Sequence, residues 1–329
     1  MSSLIFDIFV NLPRNEINQN DYFSVAPLPF NTNHKVGVST KGFPVFFVRS
    51  NQTSHTLDIN LELISVLFAK NCKLISSNQE PCQDIYTIIY LKTENTDFQQ
   101  YFLEVVCIVL EQLPEIPTHN QLKVEIDKLV KLFSRFTRPP RKTIQGLWAE
   151  LFIIEQAKDP EYLLKSWHAS SQDRFDFNDA QDKIEVKSTS SAHRIHRFSL
   201  EQLTPNSTSN LLIASVFVVQ TGHGKNILDL KKSIIEKVNN LELQFRLNDI
   251  LSQTIGSDFG NMFDLYFDYQ QAVDTLQFYD FNDIPSIDLT LLRSEISNVH
   301  FDCDLSRVPT IKDKVFDITY SSLFKSIKI

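Results

Sequence analysis

Four residues near the middle of the chain have types and spacing suited to chemistry: Glu150, Asp176, Glu185 and Lys187. In Lys183-Ile-Glu-Val-Lys-Ser188 the apolar Ile184 and Val186 alternate with Glu185 and Lys187. A strand here buries the first pair and presents the second pair together on its other face. Asp176 precedes them between Phe175 and Phe177, and Asn178-Asp-Ala-Gln-Asp182 has turn composition. The two segments therefore read as a hairpin that sets Asp176 beside Glu185. Two carboxylates and an ammonium in one place are costly unless a cation or an anionic substrate completes the site. Hard oxygen donors suit Mg²⁺, with Mn²⁺ as a substitute, and the expected ligands are Asp176, Glu185, the Val186 carbonyl and Glu150.

The elements that position these groups can be read outward. Thr143 to Gln156 reads as a helix with Leu147, Leu151 and Ile154 on one face and Glu150 one turn after Gly146. Trp167 is expected to pack beneath the hairpin. After the Glu-Val-Lys strand, Ile195 to Phe198 reads as a further strand, and Ser199 as the cap of a short helix from Leu200 to Leu203. Leu211 to Val219 is an almost continuous apolar run, the mark of a strand buried on both faces of a mixed sheet. Gly222-His-Gly-Lys225 lacks phosphate-loop spacing and reads as the turn that leaves it.

Upstream, residues 4 to 10 read as a short helix. Residues 22 to 26, 35 to 39, 43 to 48, 57 to 63 and 86 to 91 are β-branched and aromatic runs broken by Pro, Asn and Gly, which predicts antiparallel strands. Amphipathic helices follow at about 98 to 112 and 121 to 136, with Pro114 and Pro117 between them as a domain boundary. Downstream, 228 to 245 and a stretch on to 254 are expected to be helical. Residues 263 to 269, 272 to 281 and 284 to 289 read as strands and turns.

At 329 residues and 42% apolar content, the chain has room for two folded domains. Its seven glycines make glycine-built phosphate loops unexpected. A net charge of −8 confines any nucleic-acid contact to a local basic patch. Candidates are Arg138, Arg141 and Lys142 before the Glu150 helix, then Arg194, His196 and Arg197 on the strand after Lys187, and Gln202, which could touch either Lys187 or DNA. Cys72, Cys82, Cys107 and Cys303 show no ligand spacing and read as reduced thiols. With no leader and no apolar run long enough to span a bilayer, a cytoplasmic location is expected. A nucleophile elbow, HExxH and a dinucleotide fingerprint are all absent.

Glu150, Asp176-Phe177 and Glu185-Val-Lys-Ser-Thr189, joined by Gly146-Leu-Trp-Ala-Glu150-Leu, Trp167, His196 and Leu200-Glu-Gln-Leu203, resemble the PD-(D/E)XK nuclease superfamily. The longer run is similar to a family of PD-(D/E)XK motif proteins found near restriction and phage-defence genes, with weaker likeness at Ile287-Asp-Leu, Val299 and Asp304-Leu-Ser306. One departure is Phe175, where the motif name has Pro. The resemblance implies an α/β protein with a restriction-endonuclease-like mixed β-sheet core flanked by helices. The expected organisation is a β-rich domain over residues 1–117 and a nuclease-like domain with a C-terminal extension over 118–329. It further implies a Mg²⁺-dependent DNA endonuclease in restriction or phage defence, with Glu150, Asp176, Glu185 and Lys187 catalytic. Expected partners are DNA, a second copy of the chain, and an ATPase, helicase or methyltransferase. The alternative is a catalytically inert DNA-binding or scaffold subunit.

Overall fold

The computed structural model describes residues 2–13, 22–51, 56–76, 81–140, 142–167, 174–203, 209–287, 296–313 and 322–328. Chain packing divides it into two compact units, Met1–Arg138 and Pro139–Ile329.

The first unit begins with helix α1 (Ser2–Val10), whose Ile5 and Phe9 are buried. Six strands follow: β1 (Phe23–Leu28), β2 (Asn31–Val38), β3 (Pro44–Val48), β4 (Ile59–Asn60), β5 (Ile64–Ile75) and β6 (Cys82–Leu91). They form one sheet in the order β1-β2-β3-β6-β5-β4, and β1 also pairs in parallel with β5, so that five strands close on themselves. Closure removes exposed edges. The strand predicted over 57–63 shrinks to the two residues of β4, and the longest strand, β5, was not foreseen. Its alternation is broken by a register shift between Leu67 and Lys70, where Ala69 takes φ +50°. A bulge of this kind destroys the period-2 signal while supplying the bend that closure needs.

Helices α2 (Thr96–Glu111) and α3 (His119–Phe133) complete the unit. Asn95 caps α2, and Thr118 and Gln121 form a reciprocal capping box on α3. Phe98, Tyr101 and Phe102 of α2 meet Phe133 and Phe136 with ring centroids 5.2 to 6.2 Å apart. That aromatic cluster ties α3 to the first unit. The division therefore falls after Arg138 and not after residue 117, because Pro114 and Pro117 mark only the turn between two packed helices.

The second unit opens with α4 (Ile144–Gln156) and α5 (Pro160–Ser166). It continues through β7 (Phe177–Asn178), β8 (Asp182–Thr189), β9 (Ile195–Ser199), β10 (Asn210–Phe217) and β11 (Gln220–Thr221). Then come α6 (Ile227–Lys237), α7 (Leu241–Ile255), α8 (Asn261–Asp264), β12 (Tyr266–Phe267), α9 (Tyr269–Thr275), β13 (Gln277–Asp280), β14 (His300–Asp304) and α10 (Ser322–Ser326). The central sheet runs β13-β10-β8-β7, with β10 parallel to β8 and antiparallel to β13. This is the mixed sheet expected around the apolar run, since Leu211 to Val216 are all buried. β9 pairs instead with β14. The predicted helix over 228–245 breaks at Val238 to Asn240, where Asn240 caps α7. Residues 269–275, expected in strands and turns, are the helix α9, which Asp268 caps. Ile284 to Ile287 form no strand, and 288–289 lie outside the described residues. No described helix is long and apolar enough to cross a membrane.

The turn at 222–225 anchors α4. Gly224 has φ +126°, and a Cβ there would overlap the Phe267 carbonyl. Lys225 and Phe267 exchange backbone hydrogen bonds at 3.1 Å, and the Lys225 carbonyl also accepts from Trp148 Nε1 at 2.9 Å. Trp148 is fully buried and stacks on Phe152 at 5.3 Å. Gly224→Ala is expected to cost about 2 to 4 kcal/mol, through both backbone strain and the lost pairing. A denaturant titration monitoring tryptophan fluorescence checks this, and an unchanged midpoint would refute it.

Candidate active site

The hairpin read from sequence is present. Phe177 pairs with Ile184 and Asn178 with Lys183, a register that puts Asp176 opposite Glu185. Ile184 is fully buried, whereas Glu185 and Lys187 project from the opposite face and meet there, Lys187 Nζ lying 2.9 Å from Glu185 Oε1. Asp179 closes the turn by accepting from the amides of Gln181 and Asp182. Asp176 is locked to the strand because its Oδ2 accepts from the Val186 amide at 2.9 Å.

Glu150 arrives from α4. Its side chain is only 6% exposed, and its Oε2 accepts from the indole of Trp167 at 2.8 Å. Trp167 is held in turn by a bridge to Phe177 and by Arg246 of α7, which donates to the Leu164 and Trp167 carbonyls. Trp167 is buried, as expected, with its backbone bridged to the hairpin strand at Phe177, and it also orients the helix carboxylate. Gln145, on the first turn of α4, donates to Ser188 Oγ at 3.3 Å.

Two cations divide the carboxylates. Lys142 Nζ sits 2.6 Å from Glu150 Oε1 and 2.7 Å from Asp176 Oδ1. Lys187 Nζ lies against Glu185, donates to Gln202 Oε1 at 3.1 Å, and stands 5.2 Å over the Phe198 ring. Gln202 completes the second set by donating to Glu185 Oε1 at 2.6 Å. Its backbone is fixed by the expected cap, because Ser199 Oγ accepts from the Gln202 amide and Gln202 Oε1 accepts from the Ser199 amide.

Burial pushes the Glu150 and Glu185 carboxyls above their ordinary range, and repulsion from Asp176 adds to it; Lys142 and Lys187 oppose the shift only in part. For Lys142, desolvation is outweighed by its two carboxylate neighbours, and its ammonium is held above its ordinary value. The site is therefore short of positive charge. Glu150, Asp176, Glu185 and the backbone at Val186 offer the hard oxygens that Mg²⁺ takes, so the donor chemistry fits such an ion. Among the described residues, however, no group of three His, Cys, Asp or Glu side chains converges in a metal-holding arrangement, and Lys142 bridges two of the candidate ligands.

The proposed phosphate contacts fare unevenly. Arg194 is buried and spends its guanidinium on Ser215 and the Thr275 carbonyl, with Phe217 beneath it. His196 is also buried, 2.6 Å from Ser215 Oγ, and burial together with the charges of Lys187 and Arg194 pushes its pKa down to about 4. Neither is available to a phosphate, because the alternation of β9 turns both inward, where they join β9 to β10. Arg197 is exposed on β9; Arg138, the last residue of the first unit, is also exposed. Lys142 and Gln202 belong to the carboxylate site, and Arg141 lies outside the described residues. The sequence reading missed Lys142 as a counter-ion. The signal was its place four residues before Gly146 and eight before Glu150.

Comparison with known proteins adds one finding. A model of the family described as "Putative PD-(D/E)XK family member (DUF4420)" matches residues 29–306. No curated protein and no solved structure matches the chain.

Because Glu185 holds a proton more tightly in the folded state, the stability it contributes is present at low pH and lost as pH rises through its elevated pKa. Glu185→Gln, which can keep the Gln202 and Lys187 contacts, is expected to raise Tm at pH 8 by about 2 to 4 °C in metal-free buffer. The gain should shrink toward pH 5. Calorimetric melts at both pH values test this, and a Tm lowered at pH 8 would refute it.

Proposed function

Since the chain belongs to this PD-(D/E)XK family, whose model spans most of its length, we propose that it is a metal-dependent nuclease that hydrolyses phosphodiester bonds in DNA. One observation carries the reading: Asp176, Glu185 and Lys187 meet on one hairpin face, with Glu150 delivered beside them, and the buried carboxyls lack sufficient positive charge. Asp176, Glu185 and Glu150 would hold Mg²⁺ or Mn²⁺. The Val186 carbonyl would join them, because a strand residue's N–H and C=O point to the same side and the Val186 amide already faces Asp176. The bound ion would supply Lewis-acid stabilisation of the charge that builds on the phosphate.

The side chains do the rest. Lys187, held by Gln202 and the Phe198 ring, orients the attacking water and donates to a phosphoryl oxygen as negative charge develops. Its rigidity matters, because a donor fixed in advance needs no reorganisation during the reaction. Trp167 keeps Glu150 turned toward the site. Exposed Arg197 is the remaining candidate in this unit for a backbone phosphate, and the resemblance implies a role in restriction or phage defence. One site cuts one strand, so a second copy of the chain would serve double-strand cleavage.

A second reading, an inert DNA-binding or scaffold subunit that works with an ATPase, helicase or methyltransferase, is favoured by the Lys142 bridge between Glu150 and Asp176. The two readings separate in a plasmid-nicking assay with Mg²⁺ or Mn²⁺. A nuclease loses at least about 100-fold in rate on Lys187→Ala or Asp176→Asn, with circular dichroism unchanged. Full activity in a folded Lys187→Ala protein would sink the assignment. DNA binding indifferent to metal and to Asp176→Asn, without nicking, would establish the inert reading.

A further inference from the structure

The two ammoniums at the site are held differently. Lys187 is 15% exposed and fixed on three sides by Glu185, Gln202 and the Phe198 ring. Lys142 is 38% exposed, while its partners Glu150 and Asp176 are 6% and 13% exposed. The carboxylate oxygens are also divided in a consistent way. Glu150 Oε2 takes the Trp167 indole and Asp176 Oδ2 takes the Val186 amide, which leaves Glu150 Oε1 and Asp176 Oδ1 for Lys142. The oxygens committed to Lys142 are thus those not used to orient the carboxylates. Lys142 immediately precedes Thr143, the residue that caps α4. Its four-carbon stem can swing toward solvent without moving the helix, and an ammonium on a flexible stem is a mobile point charge.

From this geometry we infer that Lys142 is a tethered resident cation, which neutralises Glu150 and Asp176 while the metal is absent and must be displaced before a divalent ion can bind them. The inference rests on the metal-dependent reading of the site. It reconciles an acidic donor set with the lack of a metal-ready arrangement among the described residues: part of the carboxylate charge is offset from within the chain, and binding is an exchange of one cation for another. Wild-type affinity for metal is then lowered by the fraction of time that Lys142 is seated.

The test is calorimetric titration of Mn²⁺ into metal-free wild type, Lys142→Gln and Asp176→Asn, with acylation footprinting of wild-type lysines before and after Mn²⁺ saturation. For a lysine seated nine-tenths of the time, Lys142→Gln binds Mn²⁺ about tenfold more tightly, and Asp176→Asn abolishes binding. In the wild type, Lys142 becomes more reactive toward acylation when Mn²⁺ is added. Unchanged or weaker affinity in a folded Lys142→Gln protein overturns the inference, as does unchanged Lys142 reactivity at saturation. Should Lys142→Gln fail to fold, the wild-type footprint decides alone. If Mn²⁺ binds the wild type but the variant gains nothing, only this inference falls. If neither protein binds Mn²⁺, the metal-dependent reading falls with it.

Discussion

Three carboxylates packed into one partly dry corner of a protein must be balanced by positive charge, and the second unit is arranged around that requirement. Glu150 and Glu185 are buried, Asp176 repels both, and burial dominates the rise in their pKa values. An isolated buried carboxylate would simply take up a proton. Here the ammoniums of Lys142 and Lys187 offset part of that shift, and the supporting contacts hold each oxygen in a defined direction. Trp167, Val186, Gln202 and Ser199 each spend a donor or acceptor on this purpose. Without them the same residues would be an acidic cluster with no fixed shape.

The supports reach deep into the unit. Trp167 depends on Arg246 of α7, and α4 depends on the Trp148 indole, the Lys225 carbonyl and the left-handed Gly224. β9 is joined to β10 by the buried Arg194-Ser215-His196 contacts, and the end of β9 carries Ser199 and then Gln202. Arg194 and His196 therefore influence Lys187 by fixing the strand that leads to its clamp. A buried polar group must find partners or destabilise the fold, and these partners are what specify the strand's register.

This distinction explains what could be read in advance. The strand, the hairpin and the opposition of Asp176 to Glu185 were legible because they follow from a period of two and from turn chemistry, which are local. The Ser199 cap, the helix read at 4–10 and the apolar β10 follow from short-range rules in the same way. β5 was not legible, because the bulge at Ala69 breaks the alternation that marks a strand, and α9 was hidden by aromatic residues that favour strands in isolation. The inward turn of Arg194 and His196 was invisible for a different reason. Charge suggested a surface, while their burial is decided by Ser215 and Thr275, which are far away in sequence. The pairing of Lys142 with Asp176, across 34 residues, is likewise a tertiary fact.

Charge balance also sets a conflict between stability and chemistry at this site. Each feature that suits the carboxylates to a divalent cation, namely their burial, their number and their mutual repulsion, works against the metal-free fold. A fully apolar replacement would be more comfortable for the chain but would leave nothing for a cation to bind. Glu185, held by both Lys187 and Gln202, is fixed in direction by two donors. A pair neutralised by one solvent-accessible lysine relieves the repulsion and can still be reopened. The asymmetry between the enclosed Lys187 and the more exposed Lys142 is the physical form this compromise takes, and it places the adjustable charge on the side of the site that solvent can reach.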